Sequence, residues 1–270
     1  MKNTSQEGMT DFGVSEVCQA LGFLPLLKRL NIGLESNCMT SRGLKLLKEA
    51  FLKLQNLREL RVSYKPNFSF FEGDLEELKD SIHSLTQLRK LELVCPYTTR
   101  DGGLENLKNL LQHFASVQLS AELAQLNVDS QAKDPKARCF KPLEELSLEF
   151  KHCFRITPVG WDFLQNGIQC LAQLKSLKLD FSECKTIDDS IVENIMKGVK
   201  AMLSLTAIKL SFSGCLAITN KGVSSVAEGL GKLKNLKELD LGLNGLSSLT
   251  DEAFAEIIDQ IQGLLGLQRL

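Results

Sequence analysis

The sequence lacks most of the features that mark membrane, nucleic-acid-binding and secreted proteins. No run of apolar residues reaches the roughly 20 that a membrane-spanning helix requires, so no membrane contact is expected. The 32 basic and 33 acidic residues leave a formal net charge of only −1, which is too little to attract nucleic acid. Aromatic residues make up 6% of the chain, so few rings are available for bases to stack on.

Cysteine pairs and targeting signals are also missing. None of the eight cysteines forms a Cys-x-x-Cys pair, and a chain of 270 residues is long enough to bury a core without disulfides. This use of cysteine is typical of a reducing compartment. Residues 1–8 contain no apolar stretch and include an acid, which argues against a secretory signal. The sequence therefore predicts a cytoplasmic protein, with association to the cytoskeleton or a cilium left open.

What the chain does contain is an evenly spaced internal repeat. The pattern Leu-x-x-Leu-x-Leu begins at Leu143 and returns at Leu174, Leu205 and Leu236, with Ile208 replacing the second leucine of the third copy. Within each copy the apolar spacing changes from two residues to three and four, as a short strand followed by an amphipathic helix requires. Each copy is therefore predicted to be one strand and one helix of a solenoid.

The first half of the chain follows the same template less strictly. Its predicted units start near Leu27, Leu57 and Leu88. Residues 9–26 match the helical half of a unit, and residues 267–270 match the first part of another strand. We therefore expect a single domain, 1–270, with both ends uncapped. A partner, or another copy stacked end to end, would cover the terminal faces; a truncated chain is the simpler explanation.

One unit of the first half is irregular. The interval from Leu88 to Leu143 is nearly twice the regular spacing and is therefore too long for one unit. The residues from Phe114 to Leu119 are predicted to supply the missing strand, in a unit starting near residue 114. A rival interpretation begins that strand at Leu123. In either case, a polar surface loop is expected at 130–138.

These patterns resemble the leucine-rich-repeat family over nearly the whole chain. The long unit with a helix resembles the ribonuclease-inhibitor-type branch, and the column of Cys153, Cys184 and Cys215 is similar to the cysteine-containing branch. The resemblance implies an α/β leucine-rich-repeat solenoid, or horseshoe, with a parallel sheet on the concave face and helices on the convex face. It also implies that a protein partner binds in the concavity.

The residues between the leucines of each strand would form that binding surface, because successive side chains of a strand point to opposite faces. The candidate partner-binding residues are Arg29, Asn31, Glu59, Arg61, Lys90, Glu92, Glu145, Lys178, Lys209, Glu238 and Asp240. Their charges are of mixed sign and none of them is aromatic. This composition favours a protein partner over a nucleic acid.

No catalytic, cofactor-binding or metal-binding residues are predicted, and no cofactor is expected. The three histidines fall at unrelated positions of the repeat, and His83, His113 and His152 are each expected to be solvated surface residues. The cysteine column is expected to pack in the core rather than bind a metal. Trp161 occupies the first apolar position of a helix and is likewise expected in the core.

The sequence therefore predicts a non-enzymatic protein-interaction module or scaffold. The resemblance leaves three alternatives: a structural subunit of a large cytoskeletal or ciliary assembly, the substrate-recognition part of a ubiquitin-ligase adaptor, and a GTPase-activating leucine-rich-repeat protein. The adaptor would need an F-box domain, whereas residues 1–26 are already assigned to the half repeat. The activator would need an arginine or loop at its partner interface, and no motif marks one.

Overall fold

The computed structural model describes residues 10–34, 40–64, 78–126 and 141–270. Within these ranges, seven strands form one parallel sheet in which the order of the strands follows the chain. The strands are β1 (Arg29–Leu34), β2 (Glu59–Tyr64), β3 (Lys90–Val94), β4 (Glu145–Glu149), β5 (Ser176–Asp180), β6 (Ala207–Ser211) and β7 (Glu238–Gly242).

Helices connect the strands and form a second layer. They are α1 (Asp11–Gly22), α2 (Ser41–Phe51), α3 (Asp101–Leu126), α4 (Pro158–Ile168), α5 (Asp189–Val199), α6 (Asn220–Gly231) and α7 (Asp251–Gln262). Residues 78–83, which precede β3, are also helical. Packed helices lie about 8–10 Å apart whereas paired strands lie about 4.8 Å apart, so the array curves with the sheet on its concave face. The predicted α/β solenoid is confirmed.

Equivalent residues of successive units pair in register. Leu146 pairs with Leu177, Leu177 with Ile208, and Ile208 with Leu239. All four side chains are buried, as are most other leucines of the predicted pattern. A shift of one residue would carry these side chains to the solvent face, so their burial specifies the register.

A stack of aromatic rings runs through the core of the regular units. The rings of Phe150 and Phe181 lie 5.7 Å apart and those of Phe181 and Phe212 lie 5.3 Å apart, in nearly parallel planes. Trp161 meets Phe150 and Phe181 edge to face and is fully buried. The prediction that Trp161 belongs to the core is confirmed.

The cysteine column forms a ladder of hydrogen bonds within the core. The thiol of Cys184 donates to the backbone carbonyl of Phe150 at 2.8 Å, and the thiol of Cys215 donates to that of Phe181 at 3.1 Å. Both side chains are fully buried. Burial raises the pKa of Cys215 to about 12, so its thiol keeps the proton that it donates. The predicted core position of the column is confirmed.

A second ladder joins the first turns of neighbouring helices. The carboxylate of Asp189 accepts hydrogen bonds from the backbone nitrogen of Thr219 at 2.8 Å and from its hydroxyl at 2.6 Å, and another from the nitrogen of Gly222 at 3.0 Å. A Cβ atom on Gly222 would lie only 2.5 Å from Asp189 Oδ1. The glycine therefore gives the carboxylate room to reach the next helix.

A carboxylate-to-threonine contact of the same kind joins α3, in the irregular part of the chain, to the next unit. Asp101 accepts from the nitrogen and hydroxyl of Thr157 at 2.8 and 2.6 Å, and β3 pairs directly with β4. The predicted strand at 114–119 is wrong, because these residues continue helix α3. The rival strand at Leu123 also begins inside α3, and its remaining residues and the whole predicted loop at 130–138 lie outside the described residues.

Parts of the predicted half repeat at the start of the chain and of the predicted strand at its end are found in the described residues. Helix α1 lies within the predicted half repeat, 9–26. At the other end, Arg269 forms an isolated parallel bridge with Glu238, and its carbonyl accepts from the nitrogen of Leu239 at 3.0 Å. Residues 1–9 lie outside the described residues.

Two histidines that were expected to be solvated contact each other in the helical layer. The rings of His83 and His113 stack with centroids 3.6 Å apart. Both side chains are half-buried, and their Nε2 atoms are buried without a hydrogen-bond partner in the described part of the chain. Burial, reinforced by His113, lowers the pKa of His83 to about 4, and burial also lowers the pKa of His113. The surface prediction is wrong for these two residues; His152 is exposed.

Replacing Asp189 with alanine removes the three hydrogen bonds that this residue accepts from the next helix. We expect Asp189→Ala to lower the free energy of unfolding by about 1–2 kcal/mol, the range for losing a helix-capping acceptor. Urea unfolding followed by circular dichroism measures the change. Glu193→Ala, in the same helix, removes only an exposed contact with Lys197 and serves as the control. Equal effects of the two substitutions would contradict this role.

The stacked histidines predict a pH dependence of stability. Because the folded pKa of His83 is about 4 and its ordinary value is 6.5, the unfolded chain binds a proton first as the pH falls. The contribution of His83 to the free energy of unfolding is therefore fully present above pH 6.5. It is lost progressively as the pH falls toward 4. Denaturation at a series of pH values down to about 5 should show this slope, and His83→Gln should reduce it. His152→Gln is the control, and a slope unchanged by His83→Gln would exclude the stack as its source.

Candidate protein-binding surface

All the predicted partner-binding residues lie on the outward face of the sheet, where they line two adjoining depressions. The smaller, about 340 Å³, crosses β1 to β3, and its predicted members are Arg29, Asn31, Glu59, Arg61, Lys90 and Glu92. The larger, about 660 Å³, crosses β3 to β7, and its predicted members are Lys90, Glu92, Glu145, Lys178, Lys209, Glu238 and Asp240. We call the larger one the strand-face trough.

Ion pairs connect these residues across neighbouring strands. Arg29 contacts Glu59 at 2.8 Å, and Lys90 contacts Glu145 at 3.0 Å. The second outward position repeats the arrangement with the pairs Arg61–Glu92 and Lys209–Asp240. Each pair joins residues that are opposite in the parallel register. The sheet therefore brings together charges that belong to different units of the repeat and are distant in sequence.

This pairing changes what the surface offers a partner. Exposed ion pairs stabilise a fold by only about 0–1 kcal/mol each, so their effect on stability is small. Because each predicted cation of the face has an acidic neighbour, the face presents an ordered pattern of both signs rather than a strong field of one sign. Such a pattern selects the orientation of a partner more than it attracts one from a distance.

Glu149 and Asp180 occupy a third outward position, which is not among the predicted binding residues. Both residues are at most 9% exposed. Lys178 Nζ lies 2.5 Å from Glu149, and Lys151 Nζ lies 3.2 Å from Asp180 and 4.0 Å from Glu149. The signal was present in the sequence, because each carboxylate comes directly after the last leucine of its pattern and before a core phenylalanine.

Hydrogen bonds keep the buried carboxylate of Asp180 charged. Burial by itself would raise the pKa of Asp180, but the hydroxyl and backbone nitrogen of Ser182 donate to it at 2.6 and 3.0 Å. Together with Lys151 they bring the pKa below its ordinary value. Asp180 therefore acts as an anchor for Lys151, whose side chain is half exposed.

Small side chains line part of the strand-face trough. Ser147, Ser176 and Ala207 occupy neighbouring strands between the longer charged residues. Ser147 is only 8% exposed, and its hydroxyl oxygen has no hydrogen-bond partner among the residues that the structure describes. A buried hydroxyl without a partner costs free energy, so a polar group of a ligand that reached the floor would be stabilised there.

The charged side chains of the strand face are engaged with one another. In the described ranges, no group of three or more His, Cys, Asp or Glu side chains is placed to hold a metal ion. Glu92, Glu145, Glu149 and Asp240 each lie against a cation of a neighbouring strand. None of the described helices has the length and apolar character needed to cross a membrane.

Comparisons with known proteins add little to this geometry. No family model matches the sequence, and no curated protein matches it. Among solved structures, the tropomodulin C-terminal domain from Caenorhabditis elegans is similar over 92% of this chain and 92% of that chain, with 9% sequence identity and a TM-score of 0.35. A likeness of this degree does not identify an activity or a partner. The parallel sheet alternating with helices is consistent with a leucine-rich-repeat architecture.

Proposed function

We propose that this chain is a non-enzymatic leucine-rich-repeat protein that binds a protein partner through the strand face of its sheet. The observation that carries the proposal is the strand-face trough, a depression of about 660 Å³ that crosses β3 to β7. Its rim carries charges of both signs and its floor carries the small residues Ser147, Ser176 and Ala207. The candidate binding residues are the eleven predicted from the sequence, extended by Lys151.

The shape and composition of the trough favour a protein as its occupant. Small-molecule sites are mostly apolar and enclose their ligand, whereas this depression is open along the sheet and bordered by charged side chains from five strands. A protein segment can satisfy such a border with many separate polar contacts. We propose that the ion pairs set its register and that the hydroxyl of Ser147 forms a hydrogen bond with it.

The same proposal includes the domain organisation of the protein and the compartment in which it acts. Residues 1–270 form one leucine-rich-repeat domain, in which the unit that begins with β3 contains the long helix α3. The protein acts in the cytoplasm as an interaction module or scaffold. The unbroken order of β1 to β7 in one sheet supports the first assignment. The thiols that serve as hydrogen-bond donors support the second, because they require a compartment that keeps cysteine reduced.

Filling the floor of the trough tests this function. The double variant Ser176→Arg/Ala207→Arg places two long side chains where a partner would enter, at positions that are only partly buried. We expect it to lose the proteins that the wild-type chain retains from an extract of cells that express it, as measured by quantitative mass spectrometry. A loss of about tenfold or more is expected, since central interface positions dominate binding free energy.

The control places one arginine on a different surface of the protein. Gln169→Arg lies on the exposed end of helix α4, away from the sheet, and should retain the same proteins as the wild type. Circular dichroism should show that all variants are equally folded. If the double variant retained the wild-type set unchanged, the strand face would not be the binding surface. If no protein depended on either surface while the chain turned over a small molecule, the non-enzymatic assignment would be wrong.

A further inference from the structure

A pair of exposed aromatic rings lies outside the strand face, in the loops that lead from strands to helices. Tyr97, after β3, is 42% exposed and Phe154, after β4, is 50% exposed. Their rings stack with centroids 6.1 Å apart. The guanidinium of Arg155 lies 5.9 Å from the centre of the Phe154 ring. Large aromatic and arginine side chains in contact at a surface are the residue types that dominate protein interfaces.

The fold holds this pair in place from beneath. The hydroxyl of Thr99 donates to the carbonyl of Pro96 at 2.6 Å, and the buried thiol of Cys153 donates to the same carbonyl at 3.4 Å. His152, just before Cys153, adopts a φ of 57°, a left-handed conformation that is costly for a residue with a side chain. The two loops are therefore tied together, so the rings are displayed on a supported surface.

The pair continues into a row of exposed residues. Phe154 directly follows the ladder cysteine of its unit, and the equivalent positions of the next two units are Lys185 and Leu216, both exposed. Arg100 is exposed in the loop of Tyr97. We call this surface the aromatic edge; it consists of Tyr97, Arg100, Phe154, Arg155, Lys185 and Leu216.

The charges of the aromatic edge differ from those of the strand face. Among the described residues, Arg100, Arg155 and Lys185 take part in no ion pair. The acid that directly follows Arg100, Asp101, is bound to the nitrogen and hydroxyl of Thr157. The edge therefore carries cations that no described acid pairs with, although the chain as a whole is close to neutral.

We propose that the aromatic edge binds an acidic segment of a protein partner, one that also carries a large apolar side chain. The acidic groups of the segment would pair with Arg100, Arg155 and Lys185, and its apolar side chain would pack against Tyr97 and Phe154. This site lies beyond the strand face proposed above and does not depend on it. Charge complementarity therefore identifies the chemistry of the occupant.

The arrangement of the rings favours a protein over a single-stranded nucleic acid. Bases bind by stacking on free faces of aromatic rings. Phe154 already has Tyr97 against it and Arg155 over its ring. A row of three cations is also short compared with the extended basic grooves that follow a phosphate backbone. An acidic peptide needs only the edges of the rings and the cations around them.

A selection followed by titration tests the proposal on the full chain. Peptides selected from a random displayed library against the wild-type protein would be synthesised, labelled with a fluorophore and titrated by anisotropy. We expect peptides rich in Asp and Glu with one Phe, Leu or Trp. Their Kd should rise about tenfold or more in Phe154→Ser and in Arg155→Glu. Because both residues are exposed, the variants should melt at the wild-type temperature.

Three controls separate this site from others. Leu203→Ser removes an exposed apolar residue from the opposite, helix-to-strand loops and should leave the Kd unchanged. Ser176→Arg/Ala207→Arg fills the strand-face trough and should also leave it unchanged. A thymidine oligonucleotide should bind more weakly than the selected peptides. Peptides without acidic residues, a Kd insensitive to Phe154→Ser and Arg155→Glu, or tighter binding of the oligonucleotide would each overturn the proposal.

Discussion

The structure depends on the burial of leucine side chains between neighbouring units, because no single strand and helix can cover its own apolar face. Leu177 shows this most simply: it pairs with Leu146 on one side and Ile208 on the other, and all three are buried. Burying a leucine side chain stabilises the fold by about 1.5–3 kcal/mol. The parallel register, the curvature and the single outward face all follow from repeating this contact.

Polar ladders then connect the units at fixed positions of the repeat. Asp189 binds Thr219, Cys215 binds the carbonyl of Phe181, and Lys209 binds Asp240 across the sheet. The first two satisfy groups at the helix ends and in the core, whereas the third pairs charges on the surface. This pairing leaves the strand face balanced in charge. Tyr97, Phe154 and their cations, in the loops beside it, are not balanced in the same way.

Much of the fold could be predicted from local patterns, and the failures have a common cause. Residues Phe114, Val117 and Leu119 fit the spacing of a strand, but Leu104, Leu107, Leu111 and Phe114 also fit one face of a helix, and all four are buried. The apolar residues of this segment fit both the strand spacing and the helix spacing, so their pattern does not choose between the two. Burial in the folded protein makes that choice. The prediction that His83 and His113 are solvated is wrong for a similar reason. Their contact joins helices of two different units, and no local spacing records it.

The spacing of apolar residues along the chain is sufficient to predict the repeat, the alternation of strand and helix, and the eleven outward residues of the strand face. Contacts between neighbouring units are needed to pair the charges, to bury Glu149 and Asp180, and to stack Tyr97 on Phe154 of the next strand-to-helix loop. Those contacts depend on the approach of neighbouring units. That approach is set by packing across the solenoid, which no local pattern records.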